Sequence, residues 1–140
     1  MTYSAFNSAA QPAAEALIAD LFALGGIGYV ALGAGPEVLM RAAPGLETTT
    51  TERSNFFEEL LVNPTLLTLA GQRGRLDCGG LHHIAVGYGD FTEVILSMKD
   101  GHVSLGVARK ADAREVAKQA HAVLERHGRA VGSHEARLLA

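Results

Sequence analysis

The sequence is short of the residues that staple small domains together. It has one cysteine and no tryptophan in 140 residues, so an internal disulfide is impossible and no paired-cysteine zinc spacing is available. Charge is also sparse: 12 Lys+Arg stand against 15 Asp+Glu, for a net charge of −3. A chain without excess basic charge lacks the footprint that phosphate neutralisation requires, which excludes nucleic acid as an expected partner. Long hydrophobic runs are missing too. None approaches the roughly 18 apolar residues of a membrane span, so no membrane is expected. The opening "MTYSAFNSAAQPAAEALIADLF" has no Lys or Arg before its apolar part and carries Glu15 and Asp20 within it, unlike an export signal. With a lone thiol and no such signal, the expected compartment is the cytoplasm.

What is present suits one folded domain. Hydrophobic residues make up 48% of the chain, and about 140 residues are enough to bury one core. Residues 12–24, "PAAEALIADLFAL", put Leu17, Ile18, Leu21 and Leu24 at helical spacing, with Pro12 in the first turn and Gly25 past the end. Two short apolar runs, Ile27–Gly33 and Glu37–Ala43, are separated by Gly35-Pro36 and predict a hairpin. A second helix is expected from about residue 51, with Phe56, Phe57, Leu60 and Leu61 at one-face spacing. Asn63-Pro64 should kink or restart it, and Gly71 and Gly74 should end it.

From Leu81 the period changes to two, and strands are expected at Leu81–Tyr88, Thr92–Met98 and His102–Ala108. "GDF" joins the first pair. "KDG" joins the second, where Asp-Gly suggests a type I′ turn with φ > 0 at both central positions. The last helix has Asp112 as N-cap and Glu115 three residues on, with Val116, Ala117, Ala120, Val123 and Leu124 on one stripe and Gly128 beyond. The expected organisation is a flexible N-terminus over residues 1–11, a domain over 12–128 and a tail over 129–140. The fold class is α+β, an α/β sandwich in the order α-β-β-α-β-β-β-α.

This order, with the meander "GGLHHIAVGYGDFTEVILSMKDGHVSLGVARKADAREVAKQAHAVL" running into a capped helix, resembles the roadblock/dynein light chain family from about Pro12 to His127. Two departures fall where such proteins pair: Pro64 inside the central helix, and a long loop "GQRGRLDCGG". The resemblance implies a five-stranded antiparallel sheet of profilin-like or roadblock-like type with the central helix on one face. It also implies homodimerisation through sheet edges or central helices, and a non-catalytic role as regulator or scaffold for a small GTPase or a signalling or motor complex. An exposed edge strand and the adjacent bulky Phe56 and Phe57 are independent reasons to expect association, although both rings also fit the margins of one broad apolar face. The candidate partner or dimer surface comprises Phe56, Phe57, Leu60, Arg73, Arg75, Ile84, Val86 and Tyr88.

"DCGGLHH" (77–83) holds the cysteine and two adjacent histidines. As zinc ligands, Cys78, His82 and His83 lack a fourth partner, and adjacent strand histidines point to opposite faces. His102, His121, His127 and His134 fall in a turn, a helix and the tail, so no tetrahedral set emerges. As a nucleophile pair, Cys78 needs an imidazole at about 2.6–3.2 Å and an orienting group from a rigid element. A free cysteine, a glycine turn and ordinary histidines explain the motif with fewer assumptions. The glycines of "GGIGYVALGAG" superficially resemble a phosphate loop, but they follow a helix and run through a strand, and GxxxxGK[ST] is absent. Close backbone approach in a small sheet is their expected role. Arg73 and Arg75 suit an acidic partner, a nucleotide phosphate on a bound GTPase, or simply solvent.

No metal, cofactor or catalytic residue is expected. Three function classes remain distinguishable by experiment: the binding protein above, a profilin-like or GAF-like small-ligand sensor walled by the sheet and the Cys78–His83 loop, and a metal- or thiol-dependent enzyme at that loop.

Overall fold

The computed structural model describes residues 6, 7, 9–43 and 51–131. Its elements are α1 (Gln11–Phe22), β1 (Ile27–Ala34), β2 (Glu37–Ala42), α2 (Glu52–Phe57), a π-helical turn (Glu58–Val62), α3 (Asn63–Asp77), β3 (Ile84–Gly87), β4 (Phe91–Met98), β5 (Gly101–Ala108) and α4 (Ala113–Arg126). The strands form one antiparallel sheet in the order β2-β1-β5-β4-β3. The hairpin and the meander therefore meet through β1 and β5, leaving β2 and β3 as edges. The fold is the expected α+β sandwich.

Alternation along the three central strands makes the sheet two-faced. Val30 and Leu32, Val94, Leu96 and Met98, and Val103, Leu105 and Val107 all turn to one side. There they meet Leu17, Ile18 and Leu21 of α1 and Val116, Ala117, Ala120, Val123 and Leu124 of α4. This dry layer is the hydrophobic core. Its C-terminal helix is set by Asp112, whose carboxylate accepts from the Arg114 and Glu115 amides at 3.0 and 3.2 Å. Beyond α4, Ala130 bridges to Met98, and Phe6 packs against the core from the other end of the chain.

The other face carries Tyr29, Ala31 and Gly33, Glu93 and Ile95, and His102, Ser104 and Gly106, and it is covered by the long helix formed by α2, the π-helical turn and α3. Thr51 caps that helix reciprocally with Ser54. Pro64 neither breaks nor ends it. A proline removes one amide donor and crowds the carbonyl four residues back, and here the chain widens by one residue, with the Asn63 amide bonding to the Glu58 carbonyl. The Thr65 hydroxyl donates to the Leu61 carbonyl at 2.6 Å, giving that acceptor within the π-helical turn a partner.

Four local expectations are corrected. Gly71 and Gly74 lie inside α3, which runs on to Asp77, so Arg73 and Arg75 sit on a helix and most of "GQRGRLDCGG" is not a loop. Gly74 is buried where a Cβ would come within 3.0 Å of the Gly80–Leu81 backbone, so its absent side chain allows the chain to fold back. The first meander strand is only Ile84–Gly87, which leaves His82 and His83 outside it. His102 belongs to β5, not to the turn before it. In the β4–β5 hairpin Met98 pairs with Gly101, so Lys99 and Asp100 are the central residues; neither has positive φ, and the turn is not type I′.

Candidate functional site

The long helix is inverted relative to an ordinary surface helix. Its buried positions are Glu59, Asn63, Gly71 and Gly74, on one stripe, whereas Phe56, Phe57, Leu60, Leu61, Leu69 and Leu76 face outward. Phe57 is 59% exposed and Leu76 is 77% exposed. The helix thus seals a polar layer and displays an apolar flank.

The polar layer is built from residues far apart in sequence. Glu59 accepts from the Ser104 hydroxyl at 2.7 and 2.8 Å, from the Asn63 amide at 3.1 Å to both oxygens, and from His102 Nε2 at 3.0 Å. That set satisfies a buried carboxylate. Glu93 is less well served: Tyr29 donates to its Oε2 at 2.9 Å, while Oε1 has no hydrogen-bond partner among the described residues. Asn63 Oδ1 is the other such atom. The layer therefore has a surplus of acceptors. Burial first, and then the neighbouring Glu59, push the Glu93 carboxyl from its ordinary 4.5 up to about 8. Burial likewise raises the Tyr29 phenol, with Glu93 adding to the effect.

Two glycines make room for this layer. Gly106 pairs with Tyr29 across β1 and β5, and a Cβ there would lie 2.1 Å from the tyrosine ring. Gly33 pairs with His102, and a Cβ there would lie 2.3 Å from the imidazole. Each ring lies over a glycine on the neighbouring strand, and at Gly33 this is the close approach expected of "GGIGYVALGAG".

At the N-terminal end of the long helix the layer opens into a pocket of about 470 Å³. Glu59, Glu93 and Tyr29 are its buried residues, and Ser54, Tyr88 and Asp90 are exposed at its mouth. Tyr88 donates to Glu58 at 2.7 Å, and burial, reinforced by this bond, raises its phenol. Phe91 packs edge-on to Tyr29 at 5.7 Å and tilted against Tyr88 at 5.4 Å.

The cysteine loop is elsewhere and is differently arranged from either site considered for it. The exposed Cys78 thiol lies 3.1 Å from Asp77 and 3.3 Å from Arg73, which also pairs with Asp77. The imidazoles contact each other: His82 Nδ1 is 2.9 Å from His83 Nδ1, and the His82 ring stacks on His121 at 5.0 Å. Burial, with His121 and His83 nearby, holds His82 below its ordinary value. Among the described residues no three His, Cys, Asp or Glu side chains are grouped to hold a metal. The pocket is thus not walled by the Cys78–His83 loop. Of the expected surface residues, Phe56, Phe57 and Leu60 are exposed on the long helix, Ile84 and Val86 are half-buried on β3, and Tyr88 lies at the pocket mouth. Arg73 is exposed and Arg75 half-buried.

Sequence reasoning missed Glu59, Asn63, Glu93 and Tyr29. The available signal was period-two alternation, which places Glu93 between Phe91 and Ile95 and Ser104 between His102 and Gly106, but such a face ordinarily points to solvent.

Comparison with solved structures agrees with this topology. A roadblock/LC7 domain from Streptomyces avermitilis superposes with a TM-score of 0.58 at 13% identity, over 79% of this chain and 90% of that one. The fold is roadblock-like. A second match is gliding protein MglB from Thermus thermophilus, with a TM-score of 0.60 at 14% identity over 91% of this chain and 93% of that one. No protein-family model matches the chain, and no curated protein matches it either. Among the described residues no helix is long and apolar enough to cross a membrane.

Proposed function

We propose that this chain is a cytoplasmic, non-catalytic regulator or scaffold that forms a homodimer and binds a partner protein, a small GTPase or a signalling assembly. The observation that carries this reading is the inverted long helix. Phe57, Leu61, Leu69 and Leu76 project from a helix whose fully buried positions are Glu59, Asn63, Gly71 and Gly74. Fully burying one such side chain is worth roughly 1.5–3 kcal/mol, and association itself costs about 4–15 kcal/mol. Several must therefore be covered together, which a second copy of the same helix achieves by symmetry. Among the described residues β3 is the last strand in the sheet order, and an edge strand suits strand-to-strand pairing. The roadblock-like fold supports the GTPase as partner class.

Light scattering at micromolar concentration should return a dimer, and the double variant Phe57→Asp, Leu61→Asp should return a monomer with its helical circular dichroism intact. A monomeric unmodified protein would sink the pairing. A candidate GTPase whose hydrolysis and localisation are both unmoved by the protein would count against the regulatory role.

A small-ligand sensor is the second reading, and it is favoured by one observation: the pocket of about 470 Å³ lies within the range of about 300–1,000 Å³ common to ligand sites.

A further inference from the structure

We infer that the pocket at the N-terminal end of the long helix binds a guanidinium group, held by Glu93 and Glu58 and stacked on Tyr88 and Phe91. The pocket lining contains four carboxylates, Glu58, Glu59, Asp90 and Glu93, and, among the described residues, no Lys, Arg or His. Its field selects cations. Glu59 already has three donor residues and Glu58 accepts from Tyr88, whereas Glu93, only 1% exposed, has an oxygen without a donor among the described residues. Once ionised, that oxygen is a buried acceptor on a residue lining an open pocket, a place for a ligand's N–H.

The walls decide which cation. Three aromatic rings line the pocket, with Phe91 in contact with both tyrosines, and an aromatic face attracts an organic cation. A metal ion needs convergent ligands, and among the described residues no such group exists. A guanidinium fits better than an ammonium: it is flat enough to stack, presents a fork of donors to a carboxylate, and is weakly hydrated. The volume of about 470 Å³ leaves room for an aliphatic stem behind the head.

Binding is coupled to one proton. The groups facing Glu93 are Tyr29 from β1, Glu58 and Glu59 from the π-helical turn, and Asn63 from α3. Tyr88, from the β3–β4 connection, lines the same pocket, and His102 and Ser104 of β5 reach Glu93 through Glu59. Among the described residues no cation offsets Glu93 directly, so its carboxyl holds a proton at neutral pH, and the entering guanidinium replaces it. The proton passes to the buffer, and the site gains a carboxylate–guanidinium pair.

The test is calorimetric titration of the full chain with agmatine, N-acetyl-arginine amide and the neutral N-acetyl-citrulline amide at pH 6.5, 7.5 and 8.5. Both sources of a guanidinium, a free amine and a partner's arginine side chain, are thereby sampled. The expected affinity for a guanidinium rises roughly tenfold per pH unit up to about pH 8 and then levels off, with about one proton released per ligand at pH 6.5. Agmatine alone binding assigns a free amine, the arginine amide alone assigns a partner's side chain, and both together show that the head group suffices. Glu93→Gln keeps the shape of the neutral acid; it should weaken binding at least tenfold at pH 8.5 and remove the pH dependence. Tyr88→Ala, at the pocket mouth, should weaken binding and leave the pH dependence intact.

Failure of both guanidinium probes at millimolar concentration, equal binding of citrulline, or an unchanged pH dependence in Glu93→Gln overturns the assignment. Should Glu93→Gln not fold, undiminished affinity in Tyr88→Ala overturns it instead. The inference does not rest on pairing, because the Phe57→Asp, Leu61→Asp variant retains every residue named here.

Discussion

The ionisation of Glu93 should be readable in the stability of the whole protein. Its carboxyl is buried beside Glu59 and titrates at about 8 in the folded chain, against an ordinary 4.5. The folded pKa is raised, so the stabilising contribution of the neutral acid is fully present below about pH 4.5 and is lost as pH climbs to about 8. Over most of that interval the folded state holds close to one proton more than the unfolded chain, and each pH unit removes up to about 1.4 kcal/mol. Between pH 6 and pH 8 the loss attributable to Glu93 is roughly 2–3 kcal/mol. Glu93→Gln cannot ionise, and its amide oxygen still accepts from Tyr29. Urea unfolding followed by circular dichroism at pH 5, 6, 7, 8 and 9 should therefore show the two proteins separating as pH rises, with the variant losing the smaller share. His102, Glu59 and the tyrosines remain in both proteins, so the difference between the curves isolates Glu93. Parallel curves from pH 5 to pH 9 would refute the reasoning, since they would mean that Glu93 is ionised in the fold at an ordinary pH.

Gly106→Ala places a methyl 2.1 Å from the Tyr29 ring, and the displaced ring should cost about 1–3 kcal/mol of stability in urea with an altered tyrosine signal in near-ultraviolet circular dichroism. Glu59→Ala leaves the buried donors of Asn63, Ser104 and His102 without their acceptor, and should destabilise by about 3 kcal/mol or more. It should also move the Glu93 transition in the same pH series toward lower pH, because one of its repelling charges is gone.

The elements are legible because each is written locally. Asp112 and the stripe from Val116 to Leu124 specify α4 within one stretch, and alternation along β4 and β5 specifies two strands. The role of Gly71 and Gly74 is not legible, because a glycine that ends a helix and one that lets a chain pack against it look the same in sequence. His82 and His83 read as strand residues for a similar reason: no glycine or proline separates them from the strand that follows, whereas pairing with β4 begins only at Ile84. The polar layer is hidden because the bonds that tie the helix to the sheet and strand to strand join residues 43 to 64 positions apart, from His102 to Glu59 and from Tyr29 to Glu93.

By itself the sequence determined the order of elements and most residues of the dry core, because periodicity and caps act over a few residues. Only the tertiary structure decided which side of that helix faces in. The sheet's second face carries Glu93, His102 and Ser104, so the helix turns Glu59 and Asn63 toward them and leaves Phe56, Phe57, Leu60, Leu61, Leu69 and Leu76 outward. The complementarity that sets this choice exists only once the strands are paired and the helix lies across them.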